Sequence, residues 1–255
     1  MLILNKPIGV TPIDYWKEYR DNVFRNPTLK GCVCGKLDPM ARGQLLVLLG
    51  DKCKEMPRHL NHRKEYEVDI VLGISTDTQD VLGMWDTPDT SINQLRFIQH
   101  LRAYKDITKQ RFHPYSAICV TNQTGLRKPL WWWTKNKRLF EVVMPEKTVA
   151  VYNLEILKNE TINLFDYIEN VIEKLRSVRL DHSKFRVDEI LGEWMTMREL
   201  YRDTRIELPI IKIKIEVSSG FYIRQMLRDI QEATGVFAHC WDINRTKIFW
   251  NQAKL

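Results

Sequence analysis

The sequence predicts a mixed fold of strands and helices, α/β (α+β) in class, and three stretches carry this prediction. Residues 211–217 alternate apolar with charged side chains, as expected of a strand with one buried face. Residues 68–72 show the same alternation. Between them, apolar residues from position 164 to 175 recur at helical spacing. At 255 residues, the chain can bury one full core in a single domain, with or without an insertion.

The first elements along the chain are predicted from their composition and start signals. Residues 1–4 are mostly apolar and predict a short strand. A helix is predicted to start at Thr11, because threonine can cap, Pro12 suits the first helical position and Asp14 favours the positive end. Residues 45–49 form an apolar run with the length of a buried strand.

Three more helices and a strand are predicted further along. Ser91 and Gln94 form a capping box for the first helix, and its predicted buried residues are Ile92, Leu95, Ile98 and Leu101. Residues 148–157 are strand-like. The second helix starts at Asn163 and Asp166, and its apolar positions are Leu164, Tyr167, Ile168, Val171, Ile172 and Leu175. The third follows the 211–217 strand and ends at Gly235.

Composition narrows the class of protein and of partner. With 39 Lys and Arg against 32 Asp and Glu, the net charge is +7 and the pI is about 9.1, which suits a polyanionic partner. No apolar run is long enough to span a bilayer, and the chain opens on a strand-like segment and not on a signal peptide. We therefore expect no membrane association and an intracellular protein, cytoplasmic or nuclear.

The five cysteines predict free thiols in a reducing compartment, because an odd number in a chain this long does not suggest a disulfide framework. Cys32, Cys34, Cys53, His59 and His62 lie close in sequence, but their spacing matches no standard zinc pattern. Cysteine is also commonly a small buried apolar residue. We predict no metal site here.

The stretch GKLDPMARG, residues 35–43, carries the strongest functional signal. Asp38 precedes a proline, which is common in turns, so a plain loop is one interpretation. However, glycines bracket the turn, and the apolar 45–49 run follows it directly. This arrangement would hold a single carboxylate rigidly at the edge of a core.

Five segments of the chain, in order, resemble the TruB family of tRNA pseudouridine synthases. They are GKLDPMARG with the LLVLLGDKCK that follows it, KPIGVTP at 6–12, KEYEVDIVLGISTDTQDVLG at 64–83, HPYSA at 113–117 and VSSGFYIRQMLRDI at 217–230. The resemblance implies the pseudouridine synthase catalytic fold, with a mixed, mainly antiparallel sheet, flanking helices and a cleft across the middle. It also implies an isomerase that needs no cofactor and acts on RNA.

The resemblance assigns roles to individual residues. It implies that Asp38 is the catalytic aspartate, that Tyr66 lies against the target base, and that Arg224 pairs with Asp38. Arg224 at a helix start is electrostatically disfavoured, which independently suggests an acidic partner. Candidate substrate-binding residues are Ile243, Lys6 and Asp80. Taken alone, Lys6 could equally be strand-end packing, Tyr66 core-edge packing and Asp80 part of a polar turn.

The chain also departs from the family pattern. Val33 stands where the family usually has a histidine, five residues before the aspartate, and His113 replaces a proline before the YSA motif. Residues 158–208 leave the pattern and are predicted to be an inserted set of helices, either an RNA clamp or a cover for the sheet. We expect a single catalytic domain over residues 1–255, a monomer, with no C-terminal domain of the PUA type.

Trp131, Trp132 and Trp133 form the most unusual local stretch, flanked by Arg and Lys on both sides. Three consecutive tryptophans cannot all point into one core, so at least one should be exposed or half-exposed. The sequence leaves two roles open for these tryptophans, contact with single-stranded RNA and packing within the protein.

Two alternatives to a stand-alone tRNA pseudouridine synthase remain open at this point. One is an inactive protein with the synthase fold that binds or folds RNA. The other is a synthase that depends on a guide RNA or a partner. The joint presence of Asp38, Tyr66 and Arg224 favours the enzyme, and the T-arm of tRNA is the substrate that the resemblance implies.

Overall fold

The computed structural model describes residues 1–89 and 91–250, which contain eleven strands and seven α-helices. The strands are β1 Leu2–Lys6, β2 Gly31–Cys34, β3 Ala41–Leu49, β4 Arg63–Leu72, β5 Lys109–Arg111, β6 Cys119–Thr121, β7 Arg127–Pro129, β8 Glu146–Thr148, β9 Val151–Asn163, β10 Glu207–Val217 and β11 Ala238–Phe249. The helices are α1 Pro12–Tyr19, α2 Gln94–Ala103, α3 Leu130–Lys135, α4 Leu164–Arg176, α5 His182–Phe185, α6 Val187–Leu200 and α7 Ile223–Thr234. Within these described ranges, no helix has both the length and the apolar character that a membrane span requires.

One seven-stranded sheet forms the centre of the fold, in the order β1-β3-β11-β4-β10-β9, with β2 paired to β3. Its neighbouring strands are antiparallel except β3 and β11, which pair in parallel at Ala41 to Gly43. A Cβ on Gly43 would lie 2.3 Å from the Arg245 carbonyl oxygen, so the close approach of these strands requires glycine. The mixed, mainly antiparallel sheet with flanking helices confirms the predicted fold class.

The alternating strands bury the faces that the sequence predicts. The odd-numbered residues 211–217 of β10 and the even-numbered residues 68–72 of β4 are fully buried. Helices α2 and α7 cover this main core through Phe97, Leu101 and Leu227. A second core lies beneath α4 and α6. The six apolar α4 residues predicted from spacing are all buried there, so that prediction is confirmed.

The predicted helical segment 158–208 starts too early. Residues 158–163 continue β9 and pair with β10, and the helices occupy Leu164 to Leu200. Most of residues 157–163 are exposed on an edge strand that is polar on both sides. This part of the strand is therefore stabilised by backbone pairing and not by burial of one face. For that reason the sequence lacks the alternation of apolar and polar residues that would predict a strand here. That the segment is an insertion stays a prediction.

The predicted start of α2 is wrong by two residues. The side chain of Asn93 accepts from the Arg96 amide at 3.0 Å, whereas Ser91 belongs to the preceding turn around Asp89. The predicted buried face is also wrong in part, because Phe97 and Leu101, four residues apart and so on one side of the helix, are the buried residues, whereas Leu95 is exposed.

His239 is a buried, neutral histidine that links β11 to the second core. Its Nδ1–H donates to the Ile74 carbonyl oxygen at 2.8 Å, and its Nε2 accepts from the Tyr167 hydroxyl at 2.5 Å. Burial lowers the pKa of His239 from 6.5 to about 4. Between about pH 4 and pH 6.5, His239 is therefore neutral in the folded protein and protonated in the unfolded chain.

We expect the free energy of unfolding to depend on pH through His239. Its contribution is complete above about pH 6.5 and is lost as the pH falls toward 4, a loss of about 2 kcal/mol between pH 7 and 4.5. Urea unfolding at both pH values should show a smaller loss for His239→Gln than for the wild type. The partly exposed His100→Gln should keep the wild-type loss. Equal losses in all three proteins would contradict the prediction.

Candidate active site

Asp38 lies in the turn between β2 and β3, at the edge of the central sheet. The Ala41 amide donates to the Asp38 carbonyl at 3.1 Å and closes the turn. The Pro39 carbonyl accepts from the Gly9 amide at 3.0 Å and from Lys6 Nζ at 3.1 Å. The turn is thus tied to the segment after β1, and the predicted rigid placement of this carboxylate is confirmed.

Lys6 points inward from the end of β1. It is 1% exposed, and its Nζ donates to the carbonyls of Pro7, Val10 and Pro39 at 2.7, 2.8 and 3.1 Å. Burial lowers the pKa of Lys6 to about 7, an effect that Asp38 opposes. Lys6 thus ties β1 to the turn that carries Asp38, and its contact with a substrate stays a prediction.

Arg224 holds the Asp38 carboxylate. Its Nε donates to Asp38 Oδ2 at 2.7 Å, and its Nη1 donates to the Thr78 carbonyl at 3.0 Å and lies 3.5 Å from Asp80 Oδ2. The Arg224 side chain is 6% exposed, whereas that of Asp38 is 35% exposed. Burial alone would lower the pKa of Arg224, but Asp38 and Asp80 raise it. A permanent, fixed cation thus aims a carboxylate that remains accessible.

Asp80 borders the same cleft, but its carboxylate is occupied by the protein. Oδ1 accepts from the Thr78 hydroxyl at 2.9 Å and from the Leu82 amide at 3.0 Å, and Oδ2 faces Arg224. Burial raises the pKa of Asp80, an effect that Arg224 opposes. The structure places Asp80 as a second counterion of Arg224, and its contact with a substrate stays a prediction.

A cavity of about 700 Å³ opens at Asp38, in the size range of pockets for small ligands. Five parts of the chain line it besides the Asp38 turn. They are the start of α1, the loop after β4, residues 115–117, helix α3 and residues 181–186. Arg224 lies at its base, so the pair with Asp38 faces into this space.

Tyr66 and Ile243 lie next to the cavity wall and not on it. They are 8% and 5% exposed, belong to the main core, and sit on the neighbouring strands β4 and β11. Within the described residues, the Tyr66 hydroxyl makes no hydrogen bond, although a buried tyrosine usually has one. Contact of either residue with a base stays a prediction.

Tyr222 is a site residue that the sequence analysis missed. Burial, with the charge of Asp38, raises the pKa of Tyr222 to about 12, and Tyr66 contributes to the same shift. Tyr222 is therefore near enough to Asp38 and Tyr66 for their charges to act on its hydroxyl. The signal for it was its place two residues before Arg224, in the motif already singled out.

The three tryptophans divide between packing and the cleft. Trp133 is fully buried and donates through Nε1 to the Lys128 carbonyl at 3.1 Å. Trp132 is half-buried against it in an edge contact, with Arg138 over its ring. Trp131 is half-buried and borders the cavity. The prediction that at least one is not buried is confirmed. Contact of the tryptophans with RNA stays a prediction.

A wall of three linked residues was also missed by the sequence analysis. The Tyr115 hydroxyl donates to Asp77 Oδ2, and Arg186 Nη2 donates to the same oxygen at 2.8 Å. The Arg186 guanidinium lies 5.2 Å from the centre of the Tyr115 ring. Burial and Asp77 raise the pKa of Tyr115, so its hydroxyl remains protonated at neutral pH. Tyr115 and Arg186 both border the cavity.

Basic side chains outnumber acidic ones around the cavity. The basic ones are Lys17, Lys36, Lys135, Lys184, Arg186 and Arg224, and the acidic ones are Asp14, Asp38, Asp80 and Asp181. The excess of basic over acidic side chains makes the cavity rim positive, which suits a polyanion. In the part of the chain that the structure describes, no three His, Cys, Asp or Glu side chains are grouped to hold a metal ion.

The model of the TruB family pseudouridylate synthases (N terminal domain) matches residues 25–170. The tRNA pseudouridine synthase B of Chloroherpeton thalassium is 28% identical over 252 residues, which cover 97% of this chain and 82% of that protein. The tRNA pseudouridine synthase B of Clostridium tetani is 24% identical over 84% of this chain and 56% of its own length.

A solved structure of an H/ACA RNP bound to a substrate RNA containing 2'-deoxyuridine includes a similar chain. Its TM-score is 0.49 at 16% identity, over 96% of this chain and 47% of that chain. The protein thus spans between about half and four fifths of the length of these three relatives. Because the family model matches more than half of the sequence, including the turn of Asp38, the chain belongs to the TruB family of pseudouridylate synthases.

Proposed function

We propose that the protein isomerises a uridine in the T-arm of tRNA to pseudouridine, with Asp38 as the catalytic carboxylate. Membership of the TruB family gives the reaction class, an isomerase that acts as an RNA pseudouridine synthase. One observation supports the assignment of Asp38 above all others. Its carboxylate is accessible in a basic cleft and is held by a buried arginine whose own contacts fix its direction.

The reaction breaks the bond between N1 of the base and C1′ of the sugar and forms a bond between C5 and C1′. Asp38 can attack C1′ directly, so that the base leaves with the electrons of the broken N1–C1′ bond, and the bond from Asp38 to C1′ breaks when C5 of the turned base attacks C1′. Alternatively, Asp38 removes the C2′ proton as the base leaves and returns it to C2′ when C5 bonds to C1′. In either route C5 then loses its proton. Arg224 keeps the carboxylate aimed throughout.

The target uridine must leave its stack before it can reach Asp38. Flipping a base costs a few kcal/mol and requires an apolar or aromatic pocket to receive it. Tyr115 and Trp131 supply aromatic surface on the cavity wall, and Tyr66, in the main core, is the contact with the base that the resemblance implies. The basic rim would hold the neighbouring phosphates. We propose that the protein does this as a monomer.

Tyr66→Phe is expected to slow the chemical step by about 100-fold or more while leaving RNA affinity unchanged. The Tyr66 hydroxyl can accept the C5 proton as it passes its own proton to water, and phenylalanine keeps the ring but loses this group. Single-turnover rates and binding measured on the same RNA separate the two effects. Tyr201→Phe, in the second core, is the matched control. A rate equal to the wild type would limit Tyr66 to packing or stacking.

The proposed function is tested by tritium release from RNA labelled at C5 of uridine. The substrates are a full tRNA transcript, an isolated T-arm stem-loop and an unrelated hairpin. Release from the first two alone supports a stand-alone tRNA pseudouridine synthase. Release from the unrelated hairpin as well would contradict the T-arm assignment. Tight binding without release from any of the three would favour an RNA-binding protein or a partner-dependent enzyme.

A further inference from the structure

Residues 181–186, here called the clamp turn, border the catalytic cleft from a part of the chain outside the family match. The match ends at residue 170, and the clamp turn consists of Asp181, helix α5 and Arg186. Asp181, Lys184, Phe185 and Arg186 all line the Asp38 cavity. A segment beyond the family match therefore shares the space in which a substrate would lie.

The clamp turn is held in place at both ends. The Asp181 side chain accepts from the Lys184 amide at 2.9 Å and from the Ser183 hydroxyl at 2.8 Å. Arg186 adopts a left-handed backbone conformation, with φ of +57°, which is unfavourable for a residue with a side chain. Its half-buried ion pair with Asp77 holds it there. The turn is thus presented in one orientation.

The clamp turn is also joined to helix α3, which carries Trp131. Lys135 Nζ donates to the Lys184 carbonyl at 2.9 Å. Lys135 and Trp131 border the same cavity as the clamp turn. Two segments that are distant in sequence thus form one continuous wall of the cleft.

The side chains that this wall presents are basic and aromatic. Lys184 is exposed and Phe185 is half-buried, and Lys184 Nζ lies 5.6 Å from the centre of the Phe185 ring. Aromatic rings interleaved with cations bind single-stranded nucleic acid, because bases stack on the rings and phosphates meet the cations. The Lys184 side chain is not needed to hold the turn, since the anchors are Asp181, Arg186 and the Lys184 backbone. The Phe185 ring packs partly against the second core and also borders the cavity, so a substitution there has to keep that packing.

We propose that the clamp turn binds the unpaired nucleotides that flank the target uridine, with Phe185 as a stacking surface and Lys184 as a phosphate contact. The inference rests on the proposed function, since it takes RNA as the substrate. It assigns Phe185 and Lys184 as positioning residues. Once the target base is flipped, its neighbours lose a stacking partner, and the clamp turn supplies another within the same cavity.

The test measures binding of a fluorescein-labelled T-arm stem-loop by anisotropy, in an Asp38→Asn background that prevents turnover. We expect Phe185→Leu to weaken binding by about 5-fold or more, because leucine keeps the packing and loses the stacking face. Lys184→Ala should lower the slope of log Kd against log salt by about 0.7, the value for one phosphate contact on a single strand. Lys184→Arg should restore the slope.

Two controls separate the clamp turn from general charge effects. Arg202→Ala removes an exposed cation that lies outside the clamp turn and does not line the cavity. It should leave stem-loop binding unchanged. A blunt RNA duplex without a loop should bind the wild type and all the variants equally. Thermal unfolding of each variant checks that the fold is retained.

An unchanged Kd and salt slope in the Lys184→Ala/Phe185→Leu double variant would overturn the inference. An equal loss on the blunt duplex would also overturn it, since it would show a general charge effect. Tritium release by the otherwise wild-type enzyme is measured on the same stem-loop. If no tritium is released but the expected binding differences are found, the proposed function is contradicted and RNA binding by the clamp turn is supported. Absence of any stem-loop binding would overturn both.

Discussion

Asp38→Asn is expected to reduce the single-turnover rate of pseudouridine formation by at least about 10⁴-fold, with RNA affinity within about threefold of the wild type. The amide keeps the shape of the carboxylate and can still accept from Arg224. It can neither attack C1′ nor take a proton from C2′, so both routes are closed together. Tritium release under single-turnover conditions, with excess enzyme, measures the effect.

The fold should tolerate this change. The Asp38 side chain is 35% exposed, and Arg224 keeps Asp80 and the Thr78 carbonyl as partners when the charge of Asp38 is removed. The free energy of unfolding should therefore change by no more than about 1 kcal/mol. Loss of activity together with loss of the fold would leave the role of the carboxylate unsupported.

A matched control lies in the same cavity. Asp14 is a carboxylate at the start of α1 that also borders the cleft, paired with Lys17 and hydrogen-bonded to Thr11. Asp14→Asn removes one negative charge from the cleft without touching the Asp38 pair. It should keep at least about a third of the wild-type rate. A similar loss in both variants would attribute the effect to the charge of the cleft and contradict a catalytic Asp38.

The sequence could predict the Asp38 pair because two independent signals converge on it. The resemblance paired Asp38 with Arg224, and an arginine in the first turn of a helix already suggested an acidic partner. The two residues are 186 positions apart, and the structure joins them at 2.7 Å. A general rule of helix electrostatics thus supported a contact that no local pattern could reveal.

The elements that were predicted correctly are those with one buried, apolar face and one exposed, polar face. Strand β10 and helix α4 each bury one regular set of apolar residues, so their periods are visible in the sequence. The errors at residues 158–163 and at Ser91 share the opposite property. The first is an edge strand without a buried face, and the second is a cap for which Asn93 was an equally suitable residue.

The rest of the cleft could not be predicted, since it depends on contacts between distant loops. Tyr115 and Asp77 are 38 positions apart, and Arg186 and Asp77 are 109 apart. Arg186 reaches Asp77 from a left-handed backbone conformation that its residue type does not suggest. The inward direction of Lys6 likewise follows from three carbonyls that converge only in the folded chain.

Arg224→Met is expected to lower the free energy of unfolding by about 3–5 kcal/mol at pH 8, in addition to abolishing turnover. Methionine fills much of the buried volume but leaves Asp80, which is 4% exposed, without a cation. Asp38 loses its hydrogen bond at the same time. Urea unfolding measures the stability, and tritium release measures the activity. On the same helix, the partly exposed Arg228→Met should change stability by less than about 0.5 kcal/mol.

A change of pH and a second substitution show whether the loss of stability comes from the unpaired charge of Asp80 or from lost packing. In Arg224→Met, burial raises the pKa of Asp80 without the opposing charge of Arg224, so the carboxyl takes up a proton as the pH falls. The stability gap to the wild type should therefore narrow from pH 8 toward pH 5. Adding Asp80→Asn removes the unpaired charge and should recover at least about 1 kcal/mol, yet no activity, because Asp38 remains unheld. A gap that is constant with pH and unaffected by Asp80→Asn would show that Arg224 acts through packing alone.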